Sequence, residues 1–278
     1  MRFALRITLA MGLAALAVPA LAQTAPIDTK RLPVKSGNFS FDGPFGTYDR
    51  AALQRGFQVY KEVCAACHNL DHVAFHNLDE EGGPGFSEAQ VEALASEYKV
   101  KDLNDQGELA ERPARAADHF PPPFENDAQA RQVTGGALPP DMSVLAKARG
   151  YERGFPKFLL DIIVPYQEAG PDYIVSILKG YEDPPADFKM TQGMQYNKMF
   201  PGHQIGMKKP LTDGQVEYTD GSPQTVDQYA KDIAAFLMWA AEPHLEARKR
   251  LGFQVLIFLL VFSGLLYFTK KKVWASVH

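Results

Sequence analysis

Cys64-Ala65-Ala66-Cys67-His68 contains both cysteines of this 278-residue chain. Cys-x-x-Cys-His is the attachment pattern of a c-type haem. Each thiol adds across a vinyl group of the porphyrin, and the adjacent imidazole reaches the iron from one face. A three-residue step on a helix holds both sulfurs on one side, and His68 follows at the next position. Other readings of the pair fit poorly. A redox dithiol needs no histidine after it and usually follows a strand, whereas Tyr48 to Val63 reads as a helix. A zinc site needs two more ligands at short spacing, and His72 and His76 would make an unusual set. A disulfide across two intervening residues is strained and closes a trivial loop.

Outward from the motif, apolar periodicity and capping residues mark four helices. Asp49 to Val63 (DRAALQRGFQVYKEV) is amphipathic, with Leu53, Phe57 and Tyr60 at helical spacing and Asp49 as N-cap. Ser87 to Tyr98 (SEAQVEALASEY) is opened by a capping box of Ser87 and Gln90. Asp172 to Gly180 (DYIVSILKG) ends at a glycine, and Val226 to Ala241 (VDQYAKDIAAFLMWAA) is closed by Pro243. Strand signals are poor throughout. The expected fold class is mainly α, one haem domain with long loops rich in proline and glycine. Helices at both ends of that domain resemble the cytochrome c fold, in which the haem-bearing N-terminal helix crosses a C-terminal one. The crossing surfaces would be Gly56, Phe57 and Tyr60 against Phe236, Leu237 and Trp239, with Gly56 allowing close approach.

The two ends of the chain give an address. Arg2 and Arg6 precede the apolar run Ile7 to Leu21, and Ala20-Leu21-Ala22 has the form of a cleavage site. Residues 1–22 therefore read as a secretory signal peptide, exporting residues 23–250 to an oxidising compartment such as a bacterial periplasm. Leu251 to Thr269 carries no charge over 19 residues. At 1.5 Å per residue that is about 28 Å of helix, enough to cross the hydrocarbon of a bilayer. Arg248-Lys249-Arg250 and Lys270-Lys271-Lys272 flank it on both sides, so charge asymmetry does not orient it. The signal peptide does, and it leaves residues 270–278 in the cytoplasm beneath the inner membrane. Tyr267 and Trp274 are placed like interfacial anchors.

The sixth position on a haem iron separates electron carriers from catalysts. Candidate donors are Met142, Met190, Met194, Met199, Met207, Met238 and His203. Met207 ends the stretch Phe200-Pro201-Gly202-His203-Gln204-Ile205-Gly206 and precedes Lys208-Lys209-Pro210, a loop stiffened by prolines. His203 competes from the same loop. Met190, Met194 and Met199 lie in a polar stretch, while Met142 and Met238 read as helical core. Thioether ligation would saturate the iron and raise its potential, which suits electron transfer.

Several segments, in order, resemble the cytochrome c1 family, the haem subunits of cytochrome bc1 complexes. They are Arg55-Gly56-Phe57-Gln58-Val59-Tyr60, Ala137-Leu138-Pro139-Pro140-Asp141-Met142-Ser143 with Lys147-Ala148-Arg149, Asp172-Tyr173 before Leu178-Lys179-Gly180-Tyr181, Phe200-Pro201-Gly202 leading to Ile205-Gly206-Met207, and Trp239-Ala240-Ala241-Glu242-Pro243. The resemblance runs from about Phe41 to the C-terminus. It implies one covalent haem c, with Cys64 and Cys67 as thioether anchors, His68 as proximal and Met207 as distal ligand. It further implies that Arg149 pairs with a haem propionate and that Tyr173 lies near the haem. Tyr151 to Gly170 looks like an insertion between family segments. The implied role is one-electron relay from a Rieske iron–sulfur protein to cytochrome c, beside cytochrome b in a dimeric quinol-oxidising complex. A membrane-anchored c-type carrier working alone is the alternative.

From Asn69 to Ala128 there are 14 Asp or Glu against 4 Lys or Arg, a balance of −10 within a chain of net −4. The densest part, Asp79 to Glu97, would steer a basic protein such as cytochrome c. No basic patch points to nucleic acid.

Overall fold

Asp49 stops the preceding loop and starts a helix: its carboxylate accepts hydrogen bonds from the backbone of Ala51 (3.0 Å) and Ala52 (3.4 Å). The structure, a computed structural model, describes residues 39–149 and 169–276. Helix α1 (Arg50–Glu62) buries Leu53, Gly56, Phe57, Val59 and Tyr60 on one face. α2 (Glu88–Ser96) opens with the expected box: Gln90 N–H donates to Ser87 Oγ at 3.3 Å, and Ser87 N–H donates to Gln90 Oε1 at 2.8 Å. Two short helices follow, α3 (Asp127–Val133) and α4 (Leu145–Ala148). α5 (Ala169–Lys179) begins three residues before Asp172 because Pro171 is tolerated in a first turn, where backbone N–H groups have no helical partner. α6 (Val226–Ala241) keeps its expected bounds and is capped by Thr225.

α1 and α6 cross through Gly56. A Cβ there would be driven into the Asp232 carbonyl oxygen and lie 2.6 Å from Phe236 Cβ. The Phe57 and Tyr60 rings pack on Phe236 at centroid distances of 5.7 and 6.0 Å. Trp239 is buried against Phe236 at 5.5 Å and reaches the loop glycine Gly83. The crossing is locked by a charge. Asp232, 1% exposed, accepts from Arg55 Nε and Nη2 at 2.9 and 3.0 Å, from Tyr218 Oη at 3.0 Å and from Gln228 Nε2 at 3.1 Å. Removing one partner of a buried pair costs roughly 3–5 kcal/mol, whereas replacing both by apolar groups is often neutral. Arg55→Met is expected to lower thermal stability strongly and Arg55→Met/Asp232→Leu to recover most of it; a paired variant as unstable as the single one would contradict this.

The poor strand signals hide two small hairpins. β1 (Lys99–Leu103) and β2 (Leu109–Pro113) pair antiparallel, Lys99 opposite Pro113 and Leu103 opposite Leu109. Asn104 Oδ1 holds the turn by accepting from the Gln106 and Glu108 N–H groups, and Gly107 takes φ +78°. Only Val100 and Arg112 of the ten strand residues are even half-buried, so no alternation was there to read. Arg112 clamps the hairpin, donating to Asp102 at 2.7 Å and to both oxygens of Asp118 at 2.6 and 2.9 Å. The guanidinium hydrogen bonds hold the Asp118 carboxyl down at about 2. A carboxyl depressed on folding stabilises above its unfolded value, about 3.9, and that contribution is lost as pH falls towards 2. Amide-exchange protection of Lys99–Pro113 should fall across that window and stay level from pH 5 to 7. The second hairpin, β3 (Gln195–Tyr196) with β4 (Gln204–Ile205), closes the loop before Met207.

The last helix, α7 (Leu245–Trp274), is 30 residues long and overruns the expected 251–269 span at both ends. Its first turn belongs to the domain: Leu245 is buried and Glu246 receives two hydrogen bonds of 2.9 Å from Arg50 Nη2. Among the described residues it is one helix long and apolar enough to cross a membrane, and none of its apolar window is buried. Met142 departs from the helical reading; it is buried in the turn that precedes α4. Residues 1–38, which hold the expected signal peptide, lie outside the described residues, as does the expected insertion apart from Ala169 and Gly170.

Candidate haem site

Beyond α1 the chain tightens into a single 3-10 turn, Cys64–Ala66, and the N–H groups of Cys67 and His68 both donate to the Cys64 carbonyl at 3.1 and 3.0 Å. Cys64 opens this turn and Cys67 caps it, leaving the helical conformation at φ −132° and ψ −24°. Both are free thiols. Cys64 packs against the core and burial pushes its thiol up to about 12, while Cys67 is exposed.

His68 is 8% exposed, and its Nδ1 lies 2.8 Å from the Pro140 carbonyl oxygen. A carbonyl only accepts, so Nδ1 carries the proton and Nε2 keeps its lone pair, the tautomer that a metal-ligating imidazole needs. Burial lowers the imidazole's pKa, against smaller opposing effects of Pro140 and Asp141. The irregular segment around Pro140 is stitched to the residues just after the motif. Asp71 N–H donates to Asp141 Oδ2 at 2.9 Å, His72 N–H to Ser143 Oγ at 3.0 Å, and Met142 N–H to the Asn69 carbonyl at 2.9 Å. Pro140, Asp141 and Ser143 had entered the sequence reading only as family markers.

Met207 is half-buried just after β4, and the Tyr181 hydroxyl donates to its carbonyl at 3.0 Å. Its neighbour Gly206 lies so near Ala137 that a Cβ would come within 2.9 Å of the alanine methyl. The Met207 loop therefore rests on the beginning of the segment whose Pro140 orients His68. His203, the competitor, has φ +60° and stacks its ring near Tyr196 and Phe188 at 5.8 and 6.3 Å. Met238 is fully buried inside α6.

Arg149 and Tyr173 form a second neighbourhood. Arg149 ends α4, exposed, its N–H donating to the Leu145 carbonyl at 2.9 Å. α5 packs against that end at Gly170, where a Cβ would meet the Ala146 and Arg149 carbonyls. Burial raises the Tyr173 phenol, and the Arg149 charge opposes the rise. Among the described residues no hydrogen bond joins this pair to Cys64, Cys67 or His68.

Two free thiols that open and cap one short turn, a buried imidazole with Nε2 open, and a thioether on a braced loop fit a covalently held c-type haem. Known proteins agree. The model of the "Cytochrome C1 family" matches residues 39–277. "Cytochrome b/c1" of Bradyrhizobium diazoefficiens is 61% identical over 242 residues, 86% of this chain but 35% of that longer protein. "Cytochrome c1" of Blastochloris viridis is 50% identical over 279 residues, 100% of this chain and 97% of its own length. "Cytochrome c1, heme protein, mitochondrial" of Kluyveromyces lactis is 42% identical over 241 residues, covering 86% and 75%. With the attachment motif, its orienting carbonyl and a match over almost the whole described structure, the chain belongs to the cytochrome c1 family.

Proposed function

We propose that this chain is the haem-carrying electron-transfer subunit of a bc1-type quinol–cytochrome c oxidoreductase. Cytochrome c1 family proteins carry a covalently bound haem c. When bound, the haem supplies one-electron exchange at its iron, at a potential raised by thioether ligation. Cys64 and Cys67 would hold it through thioether bonds, and His68 and Met207 would ligate its iron. Arg149 would pair with a propionate, and Tyr173 would lie near the haem. The observation that carries this reading is the Pro140 hydrogen bond, which fixes His68 with Nε2 available.

Electrons enter from the Rieske iron–sulfur protein and leave to cytochrome c. The exposed carboxylates Asp79, Glu81, Glu88 and Glu92 support an acidic docking face. Lys61 Nζ bonds Glu97 at 2.7 Å and ties the end of that face to the last turn of α1, next to the haem motif. Neutralising these four carboxylates as Asn or Gln should slow reduction of cytochrome c several-fold at low salt, and the difference should vanish at high salt. An equal effect at every ionic strength would contradict steering.

Residues 1–22 are the signal peptide, 23–250 a periplasmic haem domain, 251–269 the span of the bacterial inner membrane and 270–278 a cytoplasmic tail. α7 packs beside cytochrome b in a dimeric complex. Truncation after Arg250 keeps Leu245, Glu246 and Lys249 and should release a folded, soluble haem domain. Purification of the full chain from membranes tests the whole reading. A b-type haem and an iron–sulfur protein should co-purify, and quinol should reduce the haem c. A chain that purifies alone and is not reduced by quinol would overturn it.

A further inference from the structure

The loop Phe39–Thr47 sits where the haem domain meets α7, and it is unusually well fixed. Thr47 N–H donates to the Ser40 carbonyl at 3.1 Å and Phe39 N–H to Asp42 Oδ2 at 2.9 Å. Gly43 takes φ +77°, and Gly46 packs so closely that a Cβ would enter the Asp42 carbonyl. Phe41 is buried between Phe39 and Tyr48, at ring distances of 4.9 and 5.3 Å. Lys249, from the first turns of α7, clips the loop by donating to the carbonyls of Phe41 and Gly46. At the tip of this rigid turn Phe45 is 70% exposed.

Phe45 is not pointed at random. Its ring lies edge-on to Phe253 at 5.3 Å. Phe253 is two residues into the uncharged run that starts at Leu251, about 3 Å along the helix. Phe45 therefore stands at the depth where the apolar part of α7 begins. Beside it Arg250 is exposed, and the cleft behind is lined by Lys249, Phe253 and Ile257 of α7 together with Glu81 and Pro243. Charged Lys249 followed at four-residue spacing by apolar Phe253 and Ile257 along one helix matches the boundary between headgroups and acyl chains. A large exposed ring on a rigid tip has little conformational entropy left to lose on entering that boundary.

We propose that the Phe39–Thr47 loop is a membrane-seating element: Phe45, beside Phe253, inserts into the headgroup–acyl boundary of the leaflet that α7 enters and fixes how the haem domain rests on the bilayer. This rests on reading 251–269 as the span. The test is a spin label at Phe45→Cys in the full haem-loaded chain, where Cys64 and Cys67 are occupied, in vesicles of phosphatidylethanolamine and phosphatidylglycerol. Labels at Phe253→Cys, Phe258→Cys and Leu109→Cys, the last on the 75% exposed hairpin, serve as references. Collision with oxygen should exceed collision with a water-soluble nickel chelate at 45 as it does at 253, and the reverse should hold at 109. A label at 45 as open to the nickel chelate as that at 109 overturns the seating while 258 stays lipid-exposed. If 258 is itself open to the chelate, the span reading falls and the seating with it. A label at 45 shielded from both reagents overturns the proposal in favour of a protein contact.

Discussion

Gly56→Leu should yield no stable haem domain, and Gly56→Ala should cost on the order of 3 kcal/mol, at the upper end of overpacking penalties. The obstacle at this position is backbone: the Asp232 carbonyl oxygen lies where the new Cβ would go, and Phe236 Cβ lies 2.6 Å away. Side chains can swing aside, but a helix carbonyl moves only with its helix. Separating α1 from α6 would also pull Arg55 away from Asp232, whose near-complete burial makes a lost cation expensive. Total stability of a domain is about 5–15 kcal/mol, so the larger substitution exhausts it. The readout is the yield of covalent haem and its melting temperature. Gly252→Ala is the control, because nothing lies within 4 Å of that position, and it should behave as wild type. Equal behaviour of Gly56→Ala and Gly252→Ala would show that the helices do not cross there.

His68→Ala should abolish accumulation of holoprotein altogether. The residue combines two roles on one ring. Its Nδ1–H satisfies the Pro140 carbonyl inside the protein, and its Nε2 is the donor left for the iron. Alanine removes both and leaves a cavity beside the motif, together with a carbonyl that has lost its partner. Asp141→Ala should be milder. It removes the acceptors of the Asp71 and Ser143 N–H groups, each 2.9 Å, and so loosens the segment that orients His68 without touching the ring. The measurement is haem staining of the membrane fraction. Normal covalent haem in His68→Ala would contradict its assignment as the proximal ligand.

The helices were legible where sequence supplied both a cap and a stripe. Asp49 with Leu53, Phe57 and Tyr60 gave α1 to within one residue at each end, and Ser87 with Gln90 gave the start of α2. Gly56 was legible because a glycine inside an otherwise apolar helical stripe needs a packing reason. The β1–β2 hairpin was not legible, since neither of its faces is buried and half of its strand residues are charged. The true start of α7 was hidden because Arg248-Lys249-Arg250 read as a charged flank, whereas Lys249 and the preceding Glu246 reach back into the domain. In the site, the motif named its own cysteines and histidine. Pro140 could not be named, because a backbone carbonyl 72 residues away carries no side-chain signature. Met207 shared its proline-stiffened loop with His203, and only the family resemblance separated them; the structure adds the Tyr181 hydroxyl and the Ala137 contact that brace the loop.

The proposed function has a haem c held by His68 and Met207 and working as an electron relay. Its most direct test is the optical spectrum of reduced membranes, with and without carbon monoxide, for wild type beside Met207→Leu. Wild type should show a c-type band that carbon monoxide leaves unchanged. Met207→Leu should bind the gas and lose potential, by a sizeable part of the roughly 0.8 V that axial ligands command. Carbon monoxide binding by wild type, or a variant spectrum identical to wild type, would contradict the claim.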